Sequence, residues 1–133
     1  MTTQSCYAYA SVAMPNLAPS ALTNIIVQSR AFNRQHGITG ILLYDGTSFY
    51  QYIEGTVSGI QEARRRILAS RHHHSIEELA CGIPASPGRF SAWTLGYLFI
   101  DDETTSVRAV LCSLEQVELV AAFQRFASES DSM

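Results

Sequence analysis

Residues 37–55, Gly-Ile-Thr-Gly-Ile-Leu-Leu-Tyr-Asp-Gly-Thr-Ser-Phe-Tyr-Gln-Tyr-Ile-Glu-Gly, decide how the chain is read. Positions 38–44 are almost wholly apolar, Asp45-Gly46 is a strong turn pair, and 48–54 are rich in aromatic and β-forming side chains. That pattern is a β-hairpin. Side chains alternate across a strand, so Phe49, Gln51 and Ile53 share one face while Tyr50, Tyr52 and Glu54 share the other. Gln51 thus lies between two apolar neighbours on the face expected to look inward. A buried carboxamide is costly unless its donors and its oxygen find partners. The partner of Gln51 is the route to function.

Before the hairpin, residues 5–12 alternate as a first strand, with Tyr7, Tyr9 and Ser11 on one face and Cys6, Ala8 and Ala10 on the other. From Pro19 to Gln35 the period becomes helical, with Leu22, Ile25, Ile26, Ser29 and Asn33 along one side. Pro19 suits a first helical turn and Gly37 the position just past the end. The stripe turns polar at Ser29 and Asn33; it either frays toward the helix end or borders a site.

After the hairpin, 57–70 is expected to be a second helix with Ile60, Ala63, Ile67 and Leu68 inward. Its Arg64-Arg65-Arg66 run reads as a solvated end matched to the helix dipole. Residues 71–75 read as a loop, 76–83 as a fourth strand and 93–100 as a fifth, with Trp93, Leu95, Tyr97 and Phe99 on one face. The order β-α-β-β-α-β-β makes an α+β, ferredoxin-like sandwich, the two helices on one sheet face. In that frame the first and third strands are expected as parallel neighbours. Asp101–Thr105 is a polar break, and Ser113-Leu-Glu-Gln116 reads as a capping box opening a helix over about 113–127. That helix is expected on the open sheet face, which carries Tyr50, Tyr52, Leu98 and Ile100. The division expected is 1–100 as the binding domain and 101–133 as a C-terminal extension.

A chain of 133 residues is one domain and buries roughly two-thirds of its unfolded surface. A net charge of −3 with no basic stripe argues against nucleic acid as a partner. Three cysteines at no metal-type spacing fit a reduced, cytoplasmic setting. There is neither a signal-peptide pattern nor an apolar run that would span a membrane.

Three consecutive histidines, His72-His73-His74, invite a metal reading, but on one loop they cannot converge on an ion, and no metal is expected. No nucleophile elbow, phosphate loop or dinucleotide fingerprint is present. Glu77 and Glu78 fall on opposite faces of one strand, wrong for shared acid–base work. A ferredoxin-like sheet can bind single-stranded RNA, but needs exposed aromatics in a basic setting. What remains is Tyr9, Asn33, Gln51 and Trp93 under the helices. Singly each can be a satisfied core or helix-end residue. Together they line a slot suited to a flat, hydrogen-bonding heterocycle.

At this point the sequence resembles the BLUF family, blue-light sensors that use a flavin, over about residues 5–100. Tyr9-Ala-Ser11 is similar to that family's Tyr-x-Ser, and Asn33 stands where the family has its helix-one asparagine. Phe49-Tyr-Gln51-Tyr-Ile-Glu-Gly55 resembles its Phe-x-Gln-x-x-Glu-Gly, and Arg89-Phe-Ser-Ala-Trp93 its Arg-Phe-x-x-Trp. The resemblance implies a flavin between the two helices, usually FAD, with FMN or riboflavin as variants. It implies Gln51 bridging Tyr9 and the flavin N5/O4 edge, and Asn33 on the carbonyl and imide edge. Ile25 and Ile26 would pack on the ring with Ser29 beside them, and Phe49 would join the binding residues. His73 and His74 fall where the family has an Arg-His pair, and Trp93 would link Gln51 to the fifth strand. Two positions depart from the pattern: Leu95 replaces a frequent methionine, and His73 replaces the arginine.

The expectation is a short photoreceptor without an attached effector, not an enzyme, signalling through a homo-oligomer or a downstream protein partner. The alternatives are a light-independent flavin redox protein and a cofactor-free interaction module.

Overall fold

The computed structural model describes residues 4–85, 87, 88, 90, 94–100 and 107–127. The elements in order are β1 (Gln4–Ala13), α1 (Pro19–His36), β2 (Thr39–Tyr44), β3 (Ser48–Thr56), α2 (Val57–Ala69), β4 (His73–Gly82), β5 (Gly96–Phe99), α3 (Val107–Cys112) and α4 (Gln116–Ala127). The strands form one sheet in the order β4-β1-β3-β2-β5.

Local chemistry sets the boundaries. Pro19 stands in the first turn of α1, and Gly37 ends it in the left-handed region at φ 66°, its N–H donating to the Asn33 carbonyl. Between β2 and β3 the Asp45 carboxylate accepts from the Thr47 and Ser48 backbone N–H groups at 2.9 and 2.7 Å. Gly46, at φ 95°, takes the conformation an L side chain resists. Thr56 caps α2 by accepting the Gly59 N–H at 3.1 Å.

The sheet separates two cores. Tyr7, Tyr9, Leu42, Phe49, Ile53, Ile60, Ala63 and Leu95 cluster on the α1/α2 side. Cys6, Ala8, Ile41, Leu43, Tyr50, Tyr52, Leu119, Val120 and Phe123 cluster on the α3/α4 side. The alternation read from the sequence thus assigns the faces of β1 and β3 as expected.

Several expectations are corrected. β1 and β3 are neighbours but antiparallel, with Tyr9 directly opposite Gln51. The crossover through α1 makes β2 run with β1, and the hairpin then reverses β3 against both. β4 starts at His73 rather than Ile76, because Val12 and Ala13 pair with His74 and His73. β5 is shorter than expected: the Thr94 and Leu95 carbonyls accept from Asn33 Nδ2 at 2.9 Å and Arg30 Nε at 3.0 Å. Leu68 is 44% exposed instead of inward. The capping box does not form. Ser113 Oγ donates to the Val110 carbonyl at 2.8 Å, ending the unanticipated α3, and Gln116 is the first residue of α4. The arginine run is not one solvated patch: Arg64 pairs with Glu78, Arg65 with Glu62, and Arg66 stacks over Phe32.

On the α4 side, Glu54 is a buried carboxylate held by neutral donors, Tyr52 Oη at 2.6 Å and the Gly88 N–H at 2.9 Å.

Candidate functional site

α1 carries an apolar stripe, yet among its described residues only Asn33 is buried. Leu22, Ile25, Ile26 and Phe32 are half-covered, because the stripe borders a cleft between α1, α2 and the sheet rather than sealing onto it. A helix normally closes such a face against its sheet. The open stripe is the first sign of a site.

The floor of the cleft is the cross-strand pair. Tyr9 Oη donates to Gln51 Oε1 at 2.7 Å, both side chains buried. Burial, followed by the nearby Tyr7, pushes the Tyr9 hydroxyl well above the ordinary phenol range, so it stays protonated and donates. Gln51 lines the cleft, and among the described residues nothing accepts from its Nε2. A buried amide nitrogen left this way calls for an acceptor from a ligand. Asn33 lines the same cleft, its Nδ2 committed to the Thr94 carbonyl and its Oδ1 without a donor among the described residues.

His73 is buried at the far side. Its Nε2 meets the Ile67 carbonyl at 2.8 Å and its Nδ1 meets Ser11 Oγ at 2.6 Å. A carbonyl only accepts, so Nε2 carries the proton and Nδ1 accepts from the serine hydroxyl. Burial, as the largest influence, lowers the His73 pKa and keeps the ring neutral. The ring stands edge-on to Tyr9 at 5.7 Å and to Phe49 at 6.2 Å. His73 is therefore a clamp tying β1, β4 and the end of α2 together, where a guanidinium would have brought a charge.

Of the residues singled out in the sequence, Tyr9, Ile25, Ser29, Asn33, Phe49, Gln51 and His73 line the cleft together. Ile26 packs into the adjoining core without lining it. His74 is exposed and bonds to Ser75 Oγ at 2.8 Å. Trp93 lies outside the described residues. Sequence reasoning missed Gln28, Phe32, Arg66, Ser70 and His72, which also border the cleft. Arg66 holds its guanidinium 4.2 Å from the Phe32 ring centroid, and His36 stacks on the same ring at 4.0 Å. Two groups so close to one centroid must take opposite faces, so Phe32 is sandwiched. The i, i+4 spacing of Phe32 and His36 was a readable signal for half of that stack. No three His, Cys, Asp or Glu side chains converge as a metal site among the described residues.

The chain matches the family described as "Sensors of blue-light using FAD" over residues 5–96. A stretch of 49 residues is 39% identical to the blue light- and temperature-regulated antirepressor BluF of Escherichia coli (strain K12), covering 37% of this chain and only 12% of that protein. The dark-state structure of BlrB, a BLUF protein, is 31% identical with a TM-score of 0.72 over 97% of this chain and 98% of the other. The ground state of BlsA shares the fold at a TM-score of 0.77 and 20% identity, covering 98% of this chain and 91% of that one.

Proposed function

Since the chain belongs to the BLUF family of flavin-binding blue-light sensors, we propose that it senses blue light through the Tyr9–Gln51 pair, with FAD as its flavin. The observation that carries this reading is the 2.7 Å bond from Tyr9 Oη to Gln51 Oε1, with both residues lining the cleft and no acceptor for the Gln51 amide nitrogen among the described residues. The residues present fit a flavin: apolar walls from Ile25, Leu42, Phe49 and Ile67, and a few polar groups aimed between them.

A bound flavin supplies a blue-absorbing ring that is a strong oxidant once excited. Tyr9 is the phenol placed to give up an electron and a proton. Gln51 is the relay, because a carboxamide has a donor end and an acceptor end, and rotation or tautomerisation exchanges them. Each wiring satisfies the amide, so the two states differ by only a few kcal/mol and light can choose between them. Asn33 holds the heterocycle edge with its free oxygen while its nitrogen stays on the Thr94 carbonyl. Ile25, Ser29 and Phe49 pack beside the ring, with Arg66 and His73 at the α2 side.

The output leaves through the segment entering β5, with Trp93 as the link, and reaches α4. Residues 1–100 form the sensing unit and 101–133 the extension that changes association, with a second copy or a partner protein. In this reading the chain is a sensor rather than an enzyme and acts in the cytoplasm.

The test is an absorption spectrum of the purified, flavin-loaded protein before and after blue light. The expected result is a reversible red shift, lost in Gln51→Leu and in Tyr9→Phe while the flavin band remains. A normal shift in Gln51→Leu refutes the relay. Bleaching by reductant alone identifies a redox carrier, and a colourless protein ends the reading.

A further inference from the structure

Behind Tyr9, on the same face of β1, stands a second phenol. Tyr7 is fully buried, with its ring centroid 5.8 Å from that of Tyr9 at an interplanar angle of 34°. It does not line the cleft. Its hydroxyl donates to Glu78 Oε2 at 2.7 Å, and the same oxygen accepts from Arg64 Nε at 2.7 Å. Arg64 and the Tyr7 hydroxyl both draw the Glu78 pKa down, so the carboxylate is ionised and able to take a proton. Its side chain is 39% exposed, which gives that proton a way to water.

The two phenols therefore differ in kind. Tyr9 bonds to a carboxamide, which is no base. Tyr7 bonds to a carboxylate, which is one. A phenol whose proton can leave as its electron leaves is the easier of the two to oxidise. The Arg64 guanidinium, 5.7 Å from the Tyr7 ring centroid, opposes positive charge on that ring and favours simultaneous proton loss.

We propose that Tyr7, with Glu78 as its proton acceptor, is a second electron donor behind Tyr9 that drains the photochemical site before Gln51 is rewired. This rests on the function proposed above, whose photoexcited flavin is the oxidant. Tyr9, oxidised by one electron with its proton still on oxygen, takes one electron from Tyr7 and returns to the phenol. The Tyr7 O–H bond breaks, the proton goes to Glu78 Oε2, and Tyr7 becomes a neutral phenoxyl radical. Tyr7 is thus a side exit that lowers the yield of the switch.

The test uses the flavin-loaded full chain, flashed with blue light, frozen and read by electron paramagnetic resonance. A trapped tyrosyl radical is expected in the unmodified protein and should fall at least tenfold in Tyr7→Phe. Glu78→Gln keeps an oxygen for the Tyr7 hydroxyl but cannot hold its proton, and should show the same loss. A radical of undiminished size in Tyr7→Phe overturns the proposal. So does a normal red shift with no trapped radical in the unmodified protein. If the red shift itself is missing, the function reading fails first, and azide-radical oxidation of the cofactor-free protein decides separately. A radical dependent on both Tyr7 and Glu78 then supports the pair as a sink; one indifferent to Tyr7→Phe overturns it.

Discussion

His73→Leu tests whether a neutral histidine, rather than a charge, locks the corner where β1, β4 and α2 meet. The imidazole makes two hydrogen bonds, to Ser11 Oγ at 2.6 Å and to the Ile67 carbonyl at 2.8 Å, and is only 9% exposed. Each bond contributes about 1 kcal/mol, and stranding the fully buried Ser11 hydroxyl costs about 1–3 kcal/mol more. Leucine restores some apolar packing, so a net loss of about 2–4 kcal/mol is expected at pH 7.5. The pH dependence is the sharper readout. Burial lowers the His73 pKa in the folded protein, so on acidification the unfolded chain takes up this proton first. Stability then falls as pH drops below ~6.5, by up to about 1.4 kcal/mol per pH unit, until the lowered folded-state pKa is reached. Urea unfolding at pH 7.5 and 5.5 measures both effects. The variant should be less stable at pH 7.5 yet lose less on acidification than the parent, the other three histidines being common to both. A variant within about 0.5 kcal/mol of the parent at pH 7.5, or with the parent's full acid slope, refutes the clamp.

Gly40→Ala should cost about 3 kcal/mol or prevent folding, because a Cβ there meets the Tyr52 carbonyl oxygen and sits 2.9 Å from Ile53 Cα, both backbone groups of the paired strand. A thermal melt matching the parent's would mean that β2 and β3 are not in this register. Phe123→Ala removes a fully buried ring packed on Tyr52 with centroids 6.0 Å apart, and should cost about 3–5 kcal/mol in urea. A loss under about 1 kcal/mol would place α4 away from the sheet.

The parts of this molecule that follow from period alone could be read from the sequence. Phe49, Gln51 and Ile53 share a face because strand side chains alternate, and the same count set Tyr9 on that face. Strand direction does not follow from period. It depends on how connections cross, so period puts Tyr9 and Gln51 on one face but leaves open the sense of β3 against β1, which is antiparallel and not the parallel one expected. His73 reads as loop because three consecutive histidines carry no strand pattern; its place is decided by Ser11 and Ile67, sixty-two and six residues away. Arg66 resembled its neighbours Arg64 and Arg65, and only Phe32 on another helix distinguishes it. α3 hid behind a polar stretch, although Val107 and Leu111 stand one turn apart and are both buried.

The Glu54 carboxylate has a mechanical consequence. The chain leaves β4 at one sheet edge and enters β5 at the other, across four inter-strand spacings of about 4.8 Å, or roughly 19 Å. Thirteen residues could reach about twice that when extended, so length alone does not dictate the path between the two edges. The bond from Gly88 to Glu54, with Phe90 seated against Tyr52 at 5.4 Å, anchors the connection to the central strand near its midpoint. A displacement at either margin is thereby referred to β3 first, and a shift of the one margin need not tug on the other.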